Sequence, residues 1–76
     1  MENNEIVFEK QKNRIATITF NRPDDLNAIS FDGWKEIMKI SEELKKDDFI
    51  RVVVVSGSGD KSFSTGADIK DFEKNR

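Results

Sequence analysis

Four consecutive valines, Val52 to Val55, run without a polar interruption and lead into Phe63-Ser64-Thr65-Gly66-Ala67-Asp68-Ile69-Lys70. An apolar run without alternation predicts a strand buried on both faces, in a parallel arrangement. The small residues after it predict a turn, and the Gly66-Ala67-Asp68 step opens a helix. A helix start presents unpaired backbone N–H groups, so it suits a phosphate or a developing oxyanion. Gly66 lets a ligand approach the main chain, and Ala67 leaves the next N–H unobstructed.

The residues before that strand read as a βαβ-like unit with a right-handed crossover. Ile6, Phe8 and Lys10 alternate with Val7 and Glu9, as in a strand with one side more buried. Lys12-Asn13-Arg14 predicts a hairpin turn, with Asn13 tolerant of positive φ. Ala16, Ile18 and Phe20 then oppose Ile15, Thr17, Thr19 and Asn21, which predicts a second strand antiparallel to the first. Pro23 ends the ladder by removing a donor, and Asp24-Asp25 continue a loop. Ser30 is a fitting N-cap for a helix of roughly 16 residues, about 24 Å long. Trp34, Ile37, Met38, Ser41 and Leu44 form one face, expected to pack on the core, while Lys35, Glu36, Lys39, Glu42 and Glu43 lie opposite. Asp47-Asp48 oppose the dipole, so the helix is expected to stop by Lys46.

Bulk properties limit what such a chain does. Seventy-six residues suffice for one small domain, and 36% hydrophobic against 37% charged residues makes a thin core. A domain of this size buries only roughly 60% of its unfolded surface. With no cysteine and no histidine, neither a disulfide staple nor a structural zinc site is expected. A net charge of −2 gives no reason to expect nucleic acid or an anionic membrane as partner. No apolar stretch approaches a membrane span, and the polar, acidic start is unlike a targeting segment, so cytoplasm is the expected location. Glu73-Lys74-Asn75-Arg76 carries no helix stop signal. A terminal Arg is what a trypsin-like protease leaves. The expectation is therefore an N-terminal piece, either nicked after Arg76 with its remainder held as a separate chain, or truncated.

Two nucleotide motifs fail on inspection. Gly57-Ser58-Gly59-Asp60-Lys61-Ser62 lacks the glycine that a Walker loop needs before Lys-Ser, and Asp60 would repel a phosphate. A dinucleotide fingerprint fails because Ser62 takes the third glycine's place. The segment reads as a flexible turn.

Asn21-Arg22-Pro23, Leu26-Asn27-Ala28 and the Phe63 to Lys70 segment together resemble the enoyl-CoA hydratase/isomerase family, the crotonase superfamily. The resemblance covers about Ile6 to Phe72, in the family's order of elements, and matches only the first part of much longer proteins. It implies an α/β fold, a crotonase-like spiral of ββα units, of which residues 1–76 are the N-terminal part of a single domain. It implies that the Ala67 main-chain N–H is one of two donors to the thioester oxygen, and that this turn holds CoA. The implied CoA contacts are Asp25, Leu26, Thr65, Ala67, Asp68, Ile69 and Lys70. Asp25 is acidic where a polyanion passes, so only its main chain is expected to make contact. Lys70 reads equally as an ammonium near a CoA phosphate and as a solvated lysine. Arg22 reads equally as a phosphate partner and as a salt bridge to a carboxylate, and Asp68 as an N-cap for the helix after it. Asn27 and Pro23 read as structural. Ser64 stands where many relatives have Cys or Ala, a conservative departure for packing.

The implied activity is a lyase, an enoyl-CoA hydratase. It adds water reversibly and syn across a trans-2-enoyl-CoA, or dehydrates a short 3-hydroxyacyl-CoA, in fatty acid metabolism. Δ3-Δ2 enoyl-CoA isomerase, hydrolase and decarboxylase share the oxyanion turn and remain alternatives, as does a non-catalytic CoA-binding fragment. The family's two catalytic Glu residues lie beyond the matched region. None of Glu36, Glu42, Glu43 or Glu73 matches their motifs, so the 76-residue chain alone is expected to be inactive. No metal, flavin or nicotinamide is implied, and CoA enters as part of the substrate. The implied partners are an acyl-CoA, the C-terminal remainder of the same protein, and further copies in a homotrimer or hexamer.

Overall fold

The computed structural model describes residues 4–69. Two strands, β1 (Ile6–Lys10) and β2 (Ile15–Phe20), form an antiparallel hairpin in which Ile6 faces Phe20, Phe8 faces Ile18 and Lys10 faces Ala16. The residue with positive φ in the hairpin turn is Arg14, at 69°, rather than Asn13. From that position its carbonyl accepts from Arg51 N–H at 2.8 Å, which seats the start of β3 beside β2. A short 3₁₀ turn, Pro23–Asp25, starts on the proline. Helix α1 (Phe31–Lys45) follows, then β3 (Val52–Gly57), which pairs parallel to β2 with Ile18 beside Val55. The sheet order is β1-β2-β3, with α1 as the crossover between the parallel strands.

Ser30 caps α1 as expected: its hydroxyl oxygen accepts from the Gly33 N–H at 3.0 Å. The carboxylate of Glu5 in turn accepts from the Ser30 N–H at 2.7 Å and from its hydroxyl. The other end is fixed to β1 by Lys10, whose Nζ lies 2.6 Å from Glu43 and 2.7 Å from Asp47.

The core is small. Ile6, Ile18 and Ile40 are buried together, with Phe8, Phe20, Ile37 and Leu44 packed around them. This corrects the expected helix face: the inward stripe is Gly33, Ile37, Ile40 and Leu44, while Met38 is 67% exposed and Trp34 stands at the surface. Both stripes satisfy helical spacing. Gly33 decides between them, because a Cβ there would stand 2.5 Å from Glu5 Oε2, so only that side of α1 closes on the segment entering β1.

The valine strand is parallel, but its expected burial is not found. Val52 to Val55 are each 40–51% exposed, because α1 covers β1 and β2 and nothing among the described residues covers β3. A run of four valines on an edge strand leaves apolar area on both faces and an unpaired backbone ladder.

Candidate oxyanion turn and CoA-binding loop

The Asn-Arg-Pro loop is held in shape by a buried asparagine. Asn27 is 1% exposed and sits at φ 57°, next to Leu26 at φ 54°, so two successive left-handed residues reverse the chain. Its side chain is fully used: Oδ1 accepts from the Arg22 N–H at 2.9 Å, and Nδ2 donates to Ser58 O at 2.9 Å and Ser62 O at 2.8 Å. One side chain thus joins the loop to the turn after β3. Gly57 makes the approach possible, since a Cβ there would lie 2.8 Å from Asn27 Nδ2 and overlap the Phe63 carbonyl.

After the reversal, Ile29 presents its backbone to the Gly66-Ala67-Asp68 segment. Ile29 N–H donates to Gly66 O at 2.8 Å, and Asp68 N–H donates to Ile29 O at 2.8 Å, a one-residue parallel bridge between Ile29 and Ala67. In such a bridge the residue between the two bonded neighbours turns its own N–H and C=O to the opposite side. Because the trans peptide is planar, the Ala67 N–H points opposite to the Gly66 carbonyl, away from Ile29. No hydrogen bond among the described residues uses that N–H. Ala67 is exposed, and Gly66 holds φ 95°, a left-handed value that suits glycine.

Arg22 ties the two halves together. Its guanidinium donates to Asp25 at 3.1 Å, to Asp68 at 3.2 Å and to the Ala28 carbonyl at 3.1 Å, with Glu5 at 3.8 Å. Of the two readings of Arg22, the structure therefore shows the salt bridge. Asp25 and Asp68 meet across it, so both carboxylates are engaged by one guanidinium, and with Glu5 the cluster keeps a net negative charge. The capping of the next helix by Asp68 falls on residues outside those described, as do Lys70 and Glu73.

The remaining expected contacts among the described residues are exposed. Thr65 is exposed, Ile69 is 71% exposed, and Leu26, 43% exposed, lines a cavity of about 290 Å³ with Pro23, Asp24 and residues Ser58 to Ser62. That cavity does not include Ala67. Glu36 and Glu42 are exposed on α1 and Glu43 is engaged by Lys10. Among the described residues no group of three or more acidic side chains gathers in a way that could hold a metal ion. Beside β1, the Asp47 carboxyl is lowered, mainly by the hydrogen bond from Lys10 and next by the Phe49 N–H, and Lys10 is raised by Asp47 and then Glu43.

Sequence reasoning missed the roles of Ile29 and Ser64. Ile29 acts through its backbone, which leaves no trace in residue type. Ser64 is not a packing substitute, because its hydroxyl donates to Asn27 O at 2.8 Å and accepts from Gly66 N–H at 3.0 Å. A hydroxyl beside a left-handed glycine is a signal of this arrangement that the sequence did carry.

Residues 10–76 match the family model described as enoyl-CoA hydratase/isomerase. The chain is 38% identical over 74 residues to the short-chain-enoyl-CoA hydratase of Clostridium acetobutylicum, covering 97% of this chain and 28% of that protein. It is 38% identical over 64 residues to the crotonyl-CoA hydratase of Syntrophomonas wolfei, covering 84% of this chain and 24% of that protein. Among solved structures, carnitinyl-CoA hydratase from Mycobacterium avium superposes with a TM-score of 0.86 at 33% identity, over 99% of this chain and 28% of that one. The chain thus spans about a quarter of the length of the relatives it matches. It has the α/β architecture of the N-terminal part of the crotonase fold, and it belongs to the enoyl-CoA hydratase/isomerase family.

Proposed function

We infer that the protein carrying this chain is an enoyl-CoA hydratase, acting on an acyl-CoA whose thioester oxygen is held by the Ala67 N–H. Water adds across the trans-2,3 double bond: its oxygen bonds to C3, a proton goes to C2, and the thioester oxygen carries negative charge in the enolate between. A fixed N–H dipole stabilises that charge without reorganising, and losing one such donor costs roughly 3–4 kcal/mol. The Ile29–Ala67 bridge is the observation that supports this reading, because it occupies both neighbouring backbone groups and leaves the Ala67 N–H aimed outward. The hydratases among its relatives agree with it.

CoA would pass along Thr65, Asp68, Ile69 and Lys70 on one side and Asp25 and Leu26 on the other, mostly through main-chain contacts. The acid and base belong to residues beyond this chain. The remainder of the polypeptide would cover the exposed β3 valines, and Phe49 and Phe63, which are 48% and 56% exposed, would join that contact. A cytoplasmic homotrimer or hexamer completes the reading.

The test is hydration of crotonyl-CoA by the full-length protein, followed as loss of enoyl-thioester absorbance. Ala67→Ser keeps the donor and retains much of the rate. Ala67→Pro removes it and lowers kcat by about 10²–10³. A proline variant with wild-type kcat, or a wild-type protein that isomerises a 3-enoyl-CoA without hydrating the 2-enoyl product, would refute the proposal. The 76-residue chain alone is expected to hydrate nothing.

A further inference from the structure

We propose that Ser64 is a positioning residue whose hydroxyl, together with the Ile29 backbone, sets the aim of the Ala67 N–H, an inference that rests on the oxyanion role given to Ala67 above. The peptide between Gly66 and Ala67 is planar, so the direction of the Ala67 N–H follows from the φ and ψ of Gly66. Glycine restrains neither angle. Nothing braces the position where its side chain would be either: among the described residues other than its chain neighbours, no atom lies within 4 Å of where a Gly66 Cβ would stand. Hydrogen bonds engage it at the φ of 95°. Two do so, one on each side of the residue. Ile29 N–H holds the Gly66 carbonyl at 2.8 Å, and Ser64 Oγ holds the Gly66 N–H at 3.0 Å.

The task needs an atom that donates and accepts at once. Ser64 Oγ accepts from Gly66 while donating at 2.8 Å to the carbonyl of Asn27, whose side chain is locked between the loop and the turn after β3. A hydroxyl does both, a thiol does both weakly and over longer distances, and a methyl does neither. Ser64 therefore passes the rigidity of buried Asn27 to a glycine that has none of its own. Without it, the Gly66 carbonyl bond to Ile29 alone would hold the Ala67 N–H, which would stray more often from the enolate oxygen, and the loss would fall on the charged transition state more than on substrate binding.

Full-length Ser64→Ala, Ser64→Thr and Ser64→Cys proteins test this, with crotonyl-CoA for kinetics and a dialkylaminocinnamoyl-CoA as a chromophore whose absorption shifts red when its carbonyl is polarised. Ser64→Ala is expected to lower kcat about three- to tenfold, the worth of one neutral hydrogen bond, with KM within about twofold. The red shift per bound chromophore shrinks in parallel, and Ser64→Thr restores both. A purely structural role would lower the melting midpoint and leave the shift per bound molecule unchanged, and that result overturns the proposal. Should Ser64→Ala fail to fold, Ser64→Cys decides: an intermediate shift supports the role, and a wild-type shift overturns it. A wild-type protein that binds the thioester without a red shift, or does not bind it, removes the reading of Ala67 itself. A wild-type shift retained in Ser64→Ala removes the role of Ser64 alone.

Discussion

Replacing Asn27 with alanine should be among the most destabilising single changes in this chain. The side chain is 1% exposed and makes three hydrogen bonds, at 2.8–2.9 Å, to the Arg22 N–H and the carbonyls of Ser58 and Ser62. Each loses its partner in Asn27→Ala, at about 1 kcal/mol net apiece, or about 3 kcal/mol together. The left-handed φ of 57° adds about 1 kcal/mol for a residue with an ordinary Cβ and no local hydrogen bond. The sum, about 4 kcal/mol, is a large share of the roughly 5–15 kcal/mol that holds a domain folded. Urea unfolding of the full-length protein, followed by far-ultraviolet circular dichroism, measures it. Asn27→Gly removes the backbone cost and keeps the hydrogen-bond loss, so it should fall about 1 kcal/mol short of alanine. Asn27→Asp should be no better than alanine, because it keeps the acceptor for Arg22 but turns a carboxylate toward two carbonyl oxygens. An alanine variant within 1 kcal/mol of wild type, or an aspartate variant equal to wild type, would refute the reasoning.

The Lys10 clamp predicts a pH signature. Because the folded Asp47 pKa lies below the ordinary value of about 3.9, its stabilisation is present above that value and is lost as pH falls through the folded one. Because the folded Lys10 pKa is raised, its share is complete below about 10.4 and is lost as pH rises through the folded value. Lys10→Met should therefore flatten the melting midpoint against pH at both extremes, leaving in acid only the part due to the Phe49 and Ile50 N–H groups; parallel profiles would exclude the clamp. On β3, Val54→Lys separates a solvent-facing position from one covered by the rest of the protein. A covered Val54 makes it cost more than about 2 kcal/mol in the full-length protein, and an open one leaves stability within about 0.5 kcal/mol.

Much of the framework around the candidate site was legible because it is carried by residue types with few alternatives. Ser30 caps a helix and Pro23 ends a strand, each for a local steric or hydrogen-bonding reason. The hairpin followed from alternation, and the parallel β3 from four valines in a row. The face of α1 was not legible, because Trp34, Met38 and Ile40 all lie on plausible stripes and hydrophobicity does not rank them.

Local chemistry therefore specified the three strands, the helix and where the turns fall. Long-range contact specified the rest. Arg22 could equally have met a phosphate until Asp25, Asp68 and Glu5 converged on it from three parts of the chain. Ile29 and Ser64 orient the Ala67 N–H only because the buried Asn27 brings residues more than thirty positions apart within hydrogen-bond reach. The valines of β3 show the same division from the other side. Their identity calls for burial, but burial needs a second surface, and none among residues 4–69 reaches them.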